Sequence, residues 1–244
     1  MRADAYAAMH AIEGEHWWFV GRRRIIERVI RRFAPPGPLR ILEAGCGTGG
    51  NFKMLAAFGT VTAFEPDAAA RAMAKAVGAA TVEEGALPGP LGLPGPFDLI
   101  CALDVIEHLE ADEASCRALA ERLGPEGVGV FTVPAFGFLW SQHDVILHHH
   151  RRYGRAGFNA MLRRAGLEVV YSSYFNAILF PAVAAARLAQ RLLRLRSEHD
   201  DTAALPPRPL NALLGAVFAA ERLAIPALRL PFGVSIVSVV RRAA

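Results

Sequence analysis

Through the first half of the chain the apolar residues alternate between two patterns. Continuous runs at residues 40–44, 60–64, 97–103 and 128–133 read as strands buried on both faces. Between them, residues 67–77 and 111–123 space their apolar positions as helices do. Strand and helix in alternation predict an α/β fold, a doubly wound, mostly parallel sheet covered by helices on both faces. Gly124 to Gly127 reads as the turn between the last of these helices and its strand, and the proline- and glycine-rich residues 88–96 read as a rigid surface loop.

The last third follows a different plan. Residues 154–165 read as a helix ended by Gly166, residues 167–174 as a strand, and residues 232–241 as a final strand in which small polar residues alternate with valine. Between these two strands lie about 55 residues, far more than a hairpin needs. They are apolar, basic and helical in pattern, so a helical insertion is expected at about residues 176–230 of a single domain 1–244. On a helical wheel Arg187, Gln190, Arg191 and Arg194 share one face, and Leu188, Leu192 and Leu195 another, as in an interfacial helix or a lid packed on the core. The uncharged run 171–186 stops at Arg187, short of the ~18 to 20 residues that span a bilayer. The expectations for this segment are therefore a packing face or dimer contact, or peripheral contact with the inner face of a membrane.

Candidate chemistry begins at the first strand. It runs into Gly45-x-Gly47-x-x-Gly50, with Gly49 between, and glycines there let the backbone turn sharply and approach a ligand closely. That spacing alone is weak and serves dinucleotides too. Glu43 before the loop, Glu65 at the end of the second strand, and the segment 97–109 with Asp104, Glu107 and His108 sharpen it. Together they resemble class I S-adenosylmethionine-dependent methyltransferases. The resemblance implies a Rossmann-like, seven-stranded sheet with S-adenosylmethionine as cofactor. It implies that Gly45, Cys46, Gly47 and Gly49 pass under the methionine part, with Glu43 beside them, while Glu65 and Pro66 take the ribose. Leu103 would pack on the adenine, Gly85 and Ala86 would line its edge, and Asp104 and His108 would complete the cofactor set. Gly85 stands where relatives often carry aspartate.

A second resemblance lies in Glu15-His16-Trp17-Trp18-Phe19, followed by Arg22 to Arg24, and in His143-Asp144 with His149 to Tyr153. These look like a bacterial subgroup allied to quinone, lipid or glycan O-methyltransferases. The family reading makes residues 1–38 a cover over the cofactor, with Arg23 facing the methionine carboxylate through a planar fork that can hold both oxygens. Trp18, His150, Arg152 and Tyr153 become the expected acceptor-binding residues, and His143, after the fifth strand, the expected general base. The run His148 to His150 reads as a solvated or phosphate-facing basic loop, because consecutive histidines from a regular element do not readily share one ion; no metal is expected.

Composition narrows the rest. The chain has 244 residues, 53% of them hydrophobic, enough for a full core. Its three cysteines, Cys46, Cys101 and Cys116, are scattered and odd in number, which argues against a disulfide framework, and a cytoplasmic protein is expected. The net charge of +4 suits acidic partners in general. Asp104-Val105-Ile106-Glu107 lacks the Asn/Asp-Pro-Pro-Tyr form that DNA amino-methylating enzymes carry, so nucleic acid is not the expected partner. The reading is a methyltransferase acting on oxygen of a small or lipid-linked acceptor. Its alternatives are nitrogen or carbon methylation, a non-catalytic cofactor-binding scaffold and an NAD-dependent oxidoreductase, while oligomeric state is not legible.

Overall fold

A computed structural model of the protein describes residues 3–192 and 204–243. Seven strands form one sheet in the order β3-β2-β1-β4-β5-β7-β6. They are β1 (Leu39–Ala44), β2 (Gly59–Phe64), β3 (Thr81–Glu83), β4 (Phe97–Leu103), β5 (Leu123–Pro134), β6 (Leu167–Phe175) and β7 (Ser235–Arg242). All neighbours pair in parallel except β7, which runs antiparallel to both β5 and β6. The expected Rossmann-like sheet is thus present, closed at one end by an antiparallel hairpin with a long insertion.

Two layers of buried side chains flank the sheet. One gathers Leu42, Ile100, Phe131, Phe158 and Leu162. The other gathers Ile41, Phe52, Cys101, Val130 and Phe175 with Ile25, Ile26 and Val29 from α2 (Trp17–Phe33). Alternate residues of β4 and β5 serve opposite layers, which is why residues 99–103 and 128–131 are continuous apolar runs. Helices α3 (Phe52–Ala56), α4 (Ala68–Val77), α5 (Asp112–Ala120) and α7 (Arg155–Arg164) complete the cover. The sequence explains where α4 begins and ends: the Asp67 side chain accepts from Ala69 and Ala70 N–H, and Gly78 takes the left-handed conformation that stops the helix.

Two local expectations change, and the structure orients a third element. Gly124 to Gly127 does not separate α5 from β5; Leu123 already pairs with Phe97, and the ladder resumes at Val128 opposite Leu99, leaving the glycines as an irregularity inside the strand. Residues 88–96 are not merely surface: Leu91 and Leu93 are buried, and the Arg122 guanidinium donates to both of their carbonyls. The insertion supplies α8 (Phe180–Leu192) and α9 (Arg208–Ala220), and on α8 the face that turns inward is the one that carries Arg187 and Gln190. Arg187 and Gln190 lie half-buried and Leu188 is exposed; the side chains of Arg191 and Leu192, and all of Arg194 and Leu195, lie outside the described residues.

Candidate active site

The carboxyl edges of the parallel strands are where an open α/β sheet binds ligands. Here β4, β5 and β6 each exit through a non-glycine residue with positive φ: Asp104 (59°), Phe136 (55°) and Asn176 (57°). Such backbones are costly and persist where surrounding structure holds them.

The glycine loop leaves β1 at this edge. Gly45 (φ 63°) is also sterically required, since a Cβ there would lie 2.9 Å from Val105. Gly47 N–H donates to Glu65 Oε2 at 2.8 Å, while Glu65 Oε1 accepts from Asp67 N–H at 3.1 Å and from the Tyr6 hydroxyl at 3.4 Å. Three donors therefore converge on one carboxylate. Tyr6 belongs to α1 (Ala3–Ile12), which lies over the loop; burial and the adjoining Glu65 charge push its phenol pKa up. Glu13, just beyond α1, accepts from the Thr48 hydroxyl at 2.7 Å and bonds the His10 ring at 3.0 Å. Helix α1 and the residue that follows it are thereby fastened to the glycine loop and to Glu65.

Glu43 is buried, with Oε1 accepting from Asn51 Nδ2 at 2.7 Å and Oε2 lacking a hydrogen-bond partner among the described residues. Burial pushes its pKa up to about 7, against the opposing pull of the Asn51 hydrogen bond and the Arg22 charge. Arg22, not singled out in the sequence, is the arginine that enters the site. Its guanidinium pairs with Asp104, lies 4.7 Å over the Trp18 ring, and leaves a buried Nε without a hydrogen-bond partner among the described residues. Arg23, the expected one, instead donates to the backbone carbonyls of Glu13 and Gly50. The two residues point about 100° apart around a helix. Arg22 shares the buried stripe of Ile25, Ile26 and Val29, and a cation inside an apolar stripe was the signal available in the sequence.

Beyond β5, α6 (Gln142–Ile146) carries His143 and Asp144. Asp144 is buried and binds His149 Nδ1 at 2.8 Å and Arg152 Nε at 2.7 Å. Burial opposes ionisation there, but the hydrogen bonds from His149 and Arg152 outweigh it and hold the carboxyl well below the usual range. An ionised Asp144 must accept, so Nδ1 of His149 carries a proton, and in the neutral ring Nε2 is the nitrogen that bears the lone pair. The histidine run is split accordingly: His149 is tucked in, while His148 and His150 are exposed. His143 stands edge-on to His149, with ring centroids 5.9 Å apart. Two expected acceptor residues are turned elsewhere. Arg152 is spent on Asp144 and the Ala135 carbonyl, and the Tyr153 hydroxyl donates to Asp112 at 2.8 Å. Trp18 is partly exposed and faces Arg22, and the His150 N–H is held by the Glu107 carbonyl.

Glu107 is fully buried, and burial with the Asp104 charge pushes its carboxyl well above the usual range. Burial and the nearby His149 push His108 down to about 3. Glu107, His108 and His149 offer donor atoms within 4.8 Å of one another. They are the described residues that could hold a cation, and a mixed carboxylate and imidazole set suits zinc or iron better than magnesium. Of the remaining expected cofactor residues, Leu103 and Cys46 are buried, Gly49 is buried within the loop, and Pro66 and Ala86 are exposed beside β2 and β3, with Gly85 packed against Phe64.

A family model described as a methyltransferase domain matches residues 19–172, more than half of the chain and the span that carries this site. The chain belongs to that methyltransferase family. No curated protein matches the sequence. Solved structures similar to this methyltransferase include a TehB-like SAM-dependent methyltransferase from Corynebacterium glutamicum, at 19% identity over 91% of this chain and 87% of that one, with a TM-score of 0.54. An S-adenosylmethionine-dependent methyltransferase from Mesorhizobium loti matches at 19% identity over 88% and 96%, TM-score 0.55. One from Clostridium acetobutylicum matches at 12% identity over 91% and 90%, TM-score 0.57. These likenesses establish the shared fold. All three are described as dependent on S-adenosylmethionine. The residues present fit that cofactor: Glu65 accepts from a hydroxyl, the glycine loop admits close backbone approach, and Arg22 keeps a buried donor without a hydrogen-bond partner among the described residues.

Proposed function

We propose that the protein methylates a hydroxyl of a small or lipid-linked acceptor approaching the carboxyl edges of β4 and β5. The cofactor supplies a methyl group on a positively charged sulfur and leaves as S-adenosylhomocysteine. Glu65 takes the ribose hydroxyls, because an ionised carboxylate accepts two hydrogen bonds at once. Arg22, steadied by Asp104 and Trp18, takes the methionine carboxylate, and Leu103 with Gly85 and Ala86 borders the adenine. The methyl is already activated, so the proton chemistry falls on the acceptor.

The Asp144–His149 hydrogen bond, 2.8 Å long, is the observation that supports oxygen as the methylated atom. A histidine whose Nδ1–H is fixed by a carboxylate presents Nε2 to receive a hydroxyl proton, whereas a neutral amine acceptor needs no such partner before attack. Reacting the protein with methyl-labelled cofactor and fractionated cell extract tests the reading. The label is expected in a methoxy group of an extract component; recovery solely as N-methyl or C-methyl product would refute it.

A further inference from the structure

The outer faces of the insertion are apolar where water should favour polar groups. On α8, Pro181, Ala182, Ala185, Ala186, Leu188 and Ala189 are exposed, while Arg187 and Gln190 lie half-buried on the opposite face, joined by a 2.9 Å hydrogen bond. On α9, Pro209, Ala212, Leu213, Ala216 and Ala220 form an exposed stripe at helical spacing, and the following turn projects Leu223. Leu188, Leu213 and Leu223 are 58%, 60% and 81% exposed. Single exposed leucines are ordinary, but two helices that both present an apolar face outward are not.

We propose that these faces rest on a lipid bilayer bearing anionic headgroups. Charge complementarity selects this occupant. Among the described residues of the insertion, the exposed charges are Arg208, Arg222 and Arg229, all positive, and the one acid, Glu221, is buried with Oε1 accepting from Ala177 and Ile178 N–H. Depth agrees: no described helix is long and apolar enough to cross a membrane, so contact is with the surface. Aromatic side chains extend the apolar region. Phe180 at the start of α8 packs against Phe138 of the loop after β5 and against Phe232 before β7, and both partners are exposed. Aromatic rings beside arginines are the composition of the headgroup boundary.

The position has a consequence for the site. Helix α8 leaves from the carboxyl edge of β6, and the same aromatic cluster continues to Phe136 at the exit of β5. The bilayer face and the edge that carries Asp144 and His149 are therefore joined through one loop, so an amphiphile could reach the site without leaving the membrane. The bilayer contact goes beyond the acceptor reading and does not depend on it, because vesicle binding is measured with neither acceptor nor cofactor.

Co-sedimentation of the full chain with phosphatidylcholine vesicles, with and without phosphatidylglycerol, tests the inference. Binding is expected to the anionic vesicles at low salt, with part of it surviving high salt because the apolar face remains. Joint replacement Leu188→Glu, Leu213→Glu and Leu223→Glu should lower vesicle partitioning by roughly tenfold or more, since each removes exposed apolar area and adds repulsion. Its circular dichroism melt and S-adenosylhomocysteine binding should match the unmodified protein. Absence of vesicle binding at every salt concentration, or full binding by the triple variant, overturns the proposal. So does sedimentation as a dimer that the triple variant disrupts with no vesicle binding, which assigns the face to a second copy of the chain.

Discussion

Replacing Glu65 by glutamine probes the ribose contact with the least change of shape. Its two oxygens accept from Gly47 N–H (2.8 Å), Asp67 N–H (3.1 Å) and the Tyr6 hydroxyl (3.4 Å), so each of these partners is a donor. A glutamine amide must turn its NH2 toward at least one of them, and it removes the charge that strengthens the bonds to ribose hydroxyls. Hydrogen bonds to a charged group contribute about 1.5 to 3 kcal/mol, which is about 10- to 150-fold in affinity. Isothermal titration with S-adenosylhomocysteine should therefore show Glu65→Gln binding weaker by that factor. Because the same carboxylate holds the glycine loop, a thermal melt of the free variant is needed beside it, and the comparison is made well below its midpoint. Tyr6→Phe is the control. It removes a long hydrogen bond on the same oxygen and should leave affinity unchanged or improved. Unaltered affinity in folded Glu65→Gln would refute the ribose assignment.

Two further predictions concern buried groups. Glu43 titrates near 7 when folded against an ordinary 4.5, so the native state keeps a proton that the unfolded chain releases. Stability should then fall as pH rises from about 4.5 to about 7 and level off above, by about 3 kcal/mol at 1.36 kcal/mol per pH unit. Urea denaturation of the cofactor-free protein at about pH 5 and pH 8 measures it. Glu43→Gln, which keeps an acceptor for Asn51 but no charge, should lose this component of the slope; identical slopes would contradict the assignment. His149→Gln should lower turnover by about 10² to 10⁴ with unchanged S-adenosylhomocysteine affinity, and His143→Gln much less. The opposite ranking would return the base to His143.

The sheet and glycine loop were legible because continuous apolar runs and strand-end glycines carry local information. Glu43 and Glu65 could be placed for the same reason. Strand β3, only Thr81–Glu83, has no run long enough to read. The Asp144–His149 pair was hidden: His148 takes φ 56° and folds the chain back after α6, bringing residues five apart together, and neighbour-by-neighbour reasoning tests only His143 with Asp144. Periodicity separates the two faces of α8 but does not say which one turns inward. Which of Arg22 and Arg23 turns toward Asp104 was not legible either, since adjacent arginines differ in sequence by one position and in direction by about 100° on a helix.

Calorimetric titration of the purified protein with S-adenosylhomocysteine and, separately, with NAD tests the central claim most directly. One S-adenosylhomocysteine is expected to bind per chain, competitively with S-adenosylmethionine, and NAD is expected to give no saturable heat. Saturable binding of NAD with none of S-adenosylhomocysteine would contradict the assignment of the glycine loop, Glu65 and Arg22 to a methyl donor.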